Sequence, residues 1–343
     1  MRFGFFDQLP CASGDTEHQR YRDILAQIEL GDRIGFDTVW LGEIHFSRTF
    51  SILADPLMVL AAAATRTSRI RLGTAVTLLP LHNPIKVAEE AAIADILSDG
   101  RLEFGVGRGI ARLYAHYHIP PEESRARFDE ALDFILAAWT RESFSFEGQY
   151  FQARDLTIVP RPLQSPHPPV RIAANSPDTF PLAARRRLPI FASPLINPPD
   201  KLKAGLAVYR AELPTGGDTA LAFPVHVAAS REEARAQCEP GLMRFLRVAT
   251  EAAAPSLRQG DLKSFEAFRQ VFARMERTTY ADMDREMGVF GDPEYCAARV
   301  RELQAEYGFD EFIGYFNQGG LMDHELVKRS MTLFATEVMP HCR

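Results

Sequence analysis

Cysteine is scarce and scattered. The chain has four, Cys11, Cys238, Cys296 and Cys342, far apart and without a CxxC pair, which argues against a disulfide framework or a cysteine zinc site. No apolar run approaches the roughly 18 residues that a membrane-spanning helix needs. The opening Met1-Arg2-Phe3-Gly4-Phe5-Phe6-Asp7 turns polar too soon for a signal peptide, so the cytoplasm is the expected address. Basic charge is not in surplus either. Lys and Arg number 39 against 45 Asp and Glu, a net charge of -6, so neither nucleic acid nor an anionic membrane is an expected partner. The basic run Arg185-Arg186-Arg187 reads as the solvated end of a helix. GxGxxG and GxxxxGK[ST] are both missing, which leaves a Rossmann or P-loop nucleotide site unsupported. HExxH is missing too. His82, His116 and His118 are present, but no metal is expected.

What is there is ordinary globular material: 343 residues, 46% hydrophobic and 24% charged. That length suits two average domains or one α/β barrel with insertions. Short apolar runs that read as strands fall at 3–6, 36–41, 70–74, 102–106, 170–174, 188–192, 221–228 and 310–316. A helical pattern follows each, the first over 17–34, stopped by Gly35. Repeated β-α units imply a parallel sheet, and eight of them imply a closed (β/α)8 TIM barrel, with an open doubly wound sheet as the alternative. The reading is one domain over 1–343. Residues 144–159 form a hairpin insertion, a proline-rich connector covers 160–169, and a long insertion over about 241–291 is a candidate lid. Phe245, Phe265, Phe268 and Phe272 suggest extra helices in that insertion.

The organising stretch is Ser98-Asp99-Gly100-Arg101-Leu102-Glu103-Phe104-Gly105-Val106-Gly107-Arg108-Gly109: turn, strand, then a glycine-flanked arginine. Bare glycines let backbone amides approach an anion, and a guanidinium grips it with two parallel hydrogen bonds, which suits a phosphate. In a barrel, sites form at the carboxyl ends of the strands. Four such ends carry the candidates: Gly42-Glu43-Ile44-His45, Thr74-Ala75-Val76-Thr77, Gly107-Arg108-Gly109 and Asn175-Ser176-Pro177-Asp178-Thr179. Ser176 before Pro177 reads as an N-cap with a first-turn proline, whose free amides favour a phosphate. Glu43 and His45 share a face if the strand persists, so the carboxylate can orient the imidazole.

These residues carry a family resemblance. The chain resembles the bacterial luciferase-like flavin monooxygenases, and among them the luciferase alpha subunit, along almost its whole length. The shared stations run from Gly35-Phe36-Asp37-Thr38-Val39-Trp40 through His45-Phe46, Leu72-Gly73-Thr74-Ala75 and Ser98 to Gly109. Later ones are Pro169-Val170, Leu188-Pro189-Ile190, Ile196-Asn197, Gly291-Asp292-Pro293-Glu294 and Val338-Met339-Pro340. The resemblance implies a barrel that takes reduced FMN from a separate reductase and uses O2 to oxygenate an aldehyde, ketone or similar small molecule. By match, Arg108, Asn175, Ser176 and Thr179 would hold the phosphate. Ala75 and Val76 would lie under the flavin ring, often joined by a cis bond. A homodimer is expected, paired through alanine- and leucine-rich segments at 52–64 and 85–97.

Three departures reshape that expectation. The family's histidine pair is Ile44-His45 here, so light emission is doubtful and His45, oriented by Glu43 toward the flavin edge, is the candidate base. The family's cysteine beside the flavin is Gly107, and a tryptophan by the ring is Pro194, changes expected to enlarge or reshape the pocket. Two alternatives stay open: a deazaflavin-dependent hydride-transfer enzyme, and a non-catalytic flavin-binding partner subunit.

Overall fold

A computed structural model of the chain describes residues 1–213, 217–258 and 266–343, with the backbone alone at 111, 252–258 and 266–269. The elements follow in order: β1 (Arg2–Asp7), α1 (Glu17–Ile34), β2 (Thr38–Leu41), α2 (Pro56–Ala64), β3 (Arg71–Thr74), β4 (Thr77–Leu78), α3 (Pro84–Leu97) and β5 (Leu102–Gly107). Then come α4 (Ala111–His116), α5 (Ser124–Thr140), the antiparallel hairpin β6 (Phe144–Glu147) and β7 (Gln152–Leu156), β8 (Val170–Ala173), α6 (Thr179–Arg185) and β9 (Ile190–Ala192). The last are α7 (Pro199–Glu212), β10 (Thr219–Val227), α8 (Arg231–Arg258), α9 (Glu266–Met275), α10 (Tyr280–Glu286), β11 (Val289–Gly291), α11 (Pro293–Tyr307), β12 (Glu311–Tyr315) and α12 (His324–Leu333).

Eight parallel strands close on themselves in the order β1-β2-β3-β5-β8-β9-β10-β12, with β12 returning to β1 and β10 pairing β9. The expected (β/α)8 barrel is therefore the observed one, and the open sheet is set aside. Helix ends are written in the sequence. Thr16 and Asp55 cap α1 and α2 through side-chain oxygens, and Gly35 closes α1 at φ 103°. Strand residues that face outward, such as Val39, Leu72, Phe104 and Phe312, join the main core between barrel and helices.

The barrel interior is layered. At the amino ends of the strands, Arg171 bonds Asp218 at 2.9 Å, and Glu311 accepts the Trp40 indole N–H at 2.7 Å. Above them Trp40 and Phe191 meet edge-on at 4.5 Å and plug the bore. Gly73 and Gly105 make room for them, since a Cβ on either would run into Trp40 or into Phe191 and the Thr74 carbonyl. This plug is the floor of everything at the carboxyl ends.

The third strand ends at Thr74, as read, and a cis peptide joins Ala75 to Val76, as the resemblance implies. The short β4, which the sequence reading did not list as a strand, pairs with β5. A short helix, α4, follows the Gly107-Arg108-Gly109 turn. The long C-terminal insertion holds α8, α9 and α10, while Phe265 and the side chain of Phe268 lie outside the described residues. All four cysteines are free, and no described helix is long and apolar enough to cross a membrane.

Candidate active site

Two joined hollows open at the carboxyl ends of the strands. The larger, about 300 Å³, is walled by apolar side chains, among them Phe6, Trp40, Phe191 and Phe245. Val271, Phe272 and Met275 of α9 close one side of it. Arg274 ties α9 down by donating to the Pro194 carbonyl at 3.0 Å, so the position where the family carries tryptophan serves here as a clasp. The smaller hollow, about 120 Å³, is polar and cationic, lined by Arg108, Arg125, Asn175, Ser176 and Thr179. Val76, Leu78, Gly109, Ile110, Ala173 and Asn175 border both hollows, so one elongated molecule can occupy the two.

The smaller hollow gathers four of the expected phosphate residues and adds a fifth, Arg125, from the first turn of α5. No motif marks Arg125 in the sequence; the barrel wrap alone brings it beside Arg108. Burial, together with the like charge of Arg125, pushes the Arg108 guanidinium below its usual value. Among the described residues neither arginine forms an ion pair, an arrangement that an incoming anion relieves. Tyr114 pins the loop by donating to the Arg108 carbonyl.

Ser176 is not the helix cap. The helix α6 starts at Thr179 with Asp178 in the cap position and no side-chain cap bond. The Pro177-Asp178 turn comes first, and the Ser176 hydroxyl instead meets the Thr179 hydroxyl at 2.9 Å. Two hydroxyls therefore face the hollow as a pair.

Gly107 does not enlarge the pocket. A Cβ there would collide with Val76 Cγ2, so the space of the family's cysteine is filled by a valine methyl. Ala75 lines the larger hollow, Gly107 the smaller and Val76 both.

Glu43 and His45 sit past the end of β2, which stops at Leu41, so strand geometry does not align them. The loop does, through an Ile44 N–H bond to the Leu53 carbonyl and a left-handed Phe46 at φ 61°. His45 Nε2 and Glu43 Oε1 are 2.7 Å apart. His82 joins them, with its Nε2 also 2.7 Å from Oε1, and Glu43 Oε2 accepts the Leu78 N–H at 2.8 Å. The ligating atoms of Glu43, His45 and His82 lie within 4.8 Å of one another, with the Nε2 of each imidazole turned to the carboxylate. Burial pushes the Glu43 carboxyl up, but the bonds from His45 and His82 outweigh it and hold the group below its usual value. Burial pulls His82 down, but its bond to Glu43 together with the charges of Glu43, Glu90 and Asp55 outweighs that and raises it. Glu43 and Ile44 line the apolar cavity; His45 does not. It packs against Phe46 and Tyr117, outside the lining of the cavity.

Residues 1–311 match the luciferase-like monooxygenase family. The oxygenase component of flavin-dependent trigonelline monooxygenase from Acinetobacter baylyi is 32% identical over 199 residues, 57% of this chain and 55% of that protein. The chain thus aligns with about half the length of that relative. Limonene 1,2-monooxygenase from Rhodococcus erythropolis is 30% identical over 340 residues, 96% of this chain and 83% of that protein. The crystal structure of monooxygenase RslO1 from Streptomyces bottropensis superposes with a TM-score of 0.82 at 28% identity, covering 100% of both chains. The chain belongs to the luciferase-like monooxygenase family.

Proposed function

We propose that the chain is the cytoplasmic oxygenase component of a two-component monooxygenase, which takes reduced FMN from a separate flavin reductase and uses O2 to oxygenate a small aldehyde, ketone or similar substrate. The observation that carries this reading is the junction of a dicationic, hydroxyl-lined hollow with an apolar chamber, the two sharing Val76, Ala173 and Asn175 as a border. The donors of the first fit a phosphate, and the second fits an apolar ring and substrate. Reduced FMN, when bound, supplies the electrons that activate O2. In this reading Arg108, Arg125, Asn175, Ser176 and Thr179 hold the phosphate, and Ala75, Val76 and Gly107 support the ring. The aromatic walls exclude water, and Glu43 with His45 holds a proton at the rim.

Equilibrium titration tests the cofactor assignment. Reduced FMN should bind more tightly than oxidised FMN. Arg108→Ala should weaken binding by about 1.5–3 kcal/mol, the range of a charge-assisted contact. Unchanged affinity would remove Arg108 from the site. A coupled assay with NADH, a flavin reductase, O2 and candidate aldehydes and ketones should show O2 uptake beyond the uncoupled background. Turnover with a reduced deazaflavin and no O2 uptake would favour hydride transfer instead.

The same reading includes a homodimer. Met58 on α2 is 71% exposed, and Ile93, Ile96 and Leu97 on the neighbouring α3 are 43%, 40% and 45% exposed. An apolar patch of this kind suits a helical interface between two copies. Light scattering should give twice the 38.5 kDa chain mass, and Met58→Asp with Ile93→Asp should give the monomer. A monomeric wild type at micromolar concentration would end the dimer assignment.

A further inference from the structure

The larger hollow is walled from two sources that differ in bulk. Where β2, β3, β8 and β9 end, it meets Gly42, Ala75, Ala173 and Ala192, and β10 adds Ala222. These short side chains leave room above the Trp40-Phe191 plug. The C-terminal insertion supplies bulk instead, through Phe245 of α8 and Val271, Phe272 and Met275 of α9. The last three share the inner face of α9, while Gln270, Ala273 and Glu276 are exposed.

Arg274 lies on the same turn of α9 but does not line the hollow. It donates to the Pro194 carbonyl at 3.0 Å and pairs with Glu286 of α10. Pro194 stands between Ser193 and Leu195, which both line the hollow. One guanidinium therefore ties the α9 wall to the loop after β9, across 80 residues of chain.

Charge is sparse in this wall. Among the described residues that line the hollow, Glu43 alone is charged, and its carboxylate already meets His45, His82 and the Leu78 N–H. Gln8 donates to the Phe50 carbonyl at 3.0 Å, and Ser193 donates to the Ala222 carbonyl at 2.9 Å. A charged group on a ligand would meet no counter-charge from these residues, and an unpaired charge out of water is strongly disfavoured.

We propose that Phe272 and Met275 are specificity-determining residues of the chamber, and that Arg274 is the positioning residue that holds them over it. The substrate class is an uncharged, largely hydrocarbon molecule whose length these two side chains limit. The inference deepens the oxygenase reading and rests on it only in calling the occupant a substrate.

Calorimetric titration with acetophenone, para-butylacetophenone and para-acetylbenzoate, run with and without FMN, tests it. The second probe lengthens the first, and the third adds a carboxylate to it. The wild type should bind acetophenone at least about tenfold more tightly than para-acetylbenzoate. Phe272→Ala should raise the affinity for para-butylacetophenone relative to acetophenone by about tenfold, the scale of burying one or two more methylene groups. Met275→Ala should move that ratio in the same direction. Arg274→Ala removes no lining atom and should move it too, while Arg274→Lys, which keeps a donor for the Pro194 carbonyl, should return it toward the wild-type value. The proposal is overturned by a ratio unchanged in both Phe272→Ala and Met275→Ala, by a wild type that binds the carboxylate as tightly as the ketone, or by one that binds neither ketone. An unchanged ratio in Arg274→Ala overturns the positioning role. If Phe272→Ala does not fold, Phe272→Leu takes its place. Length selection by a protein that oxygenates nothing would sink the oxygenase reading and leave the chamber assignment standing.

Discussion

Replacing Glu43 with alanine is expected to lower the folding free energy by about 3–5 kcal/mol, the scale on which breaking a buried charge pair destabilises a protein. The side chain is 1% exposed and accepts from His45, His82 and the Leu78 amide, so its removal strands three donors around one void. Glu43→Gln keeps the shape and one acceptor oxygen and should cost less. Chemical denaturation at fixed pH measures both, and a Glu43→Ala protein as stable as wild type would show that the rim is not held by this carboxylate.

The same cluster sets a pH dependence. Glu43 titrates below its ordinary 4.5 in the folded protein, so its contribution is present above 4.5 and is lost as the pH falls through the lowered value. His82 titrates above its ordinary 6.5, so its contribution is complete below 6.5 and fades as the pH rises through the raised value. Together they contribute most between 4.5 and 6.5 and less on either side. His82→Ala should flatten the alkaline decline and also shrink the acid one, because His82 is one of the groups that hold Glu43 low; an unchanged alkaline slope would assign the decline to other groups.

Replacing His45 with alanine should spare the flavin site and slow turnover by about 10²-fold or more, the usual effect of losing an acid–base group. Its imidazole reaches the cavity only through Glu43, and the phosphate donors lie on other strands. Ile44, which does line the cavity, exchanges no proton and cannot replace it. Rapid-mixing kinetics with a productive substrate, alongside FMN titration, separates the outcomes. Wild-type rates in a folded His45→Ala protein would make the histidine a packing residue. Lost FMN affinity would mean that the rim and the phosphate hollow are coupled.

Much of this was legible in the chain. Short apolar runs with outward residues such as Phe104 and Phe312 mark strands because each must pack a helix on one side. The Gly-Arg-Gly turn is a candidate anion site because bare backbone and a guanidinium suit one, but alone the pattern is more often a plain turn, and only its surroundings give it weight. Ser176 misled because Ser-Pro is also the start of a plain turn, and the sequence carries no sign that α6 waits two residues longer.

What the sequence by itself determined is the alternation of strand and helix, hence the barrel, and which loops gather at one end of it. What only the tertiary structure decided is which side chains from those loops touch. His82 reaches Glu43 across 39 residues of chain, Arg125 stands beside Arg108 from the head of another helix, and Tyr315 shares a cavity with Phe6 from the opposite end of the sequence. Local patterning encodes a residue's own helix or strand. The pairing of distant residues is set by strand register and by the closing of the ring between β12 and β1, a property of the whole sheet that no window of sequence contains.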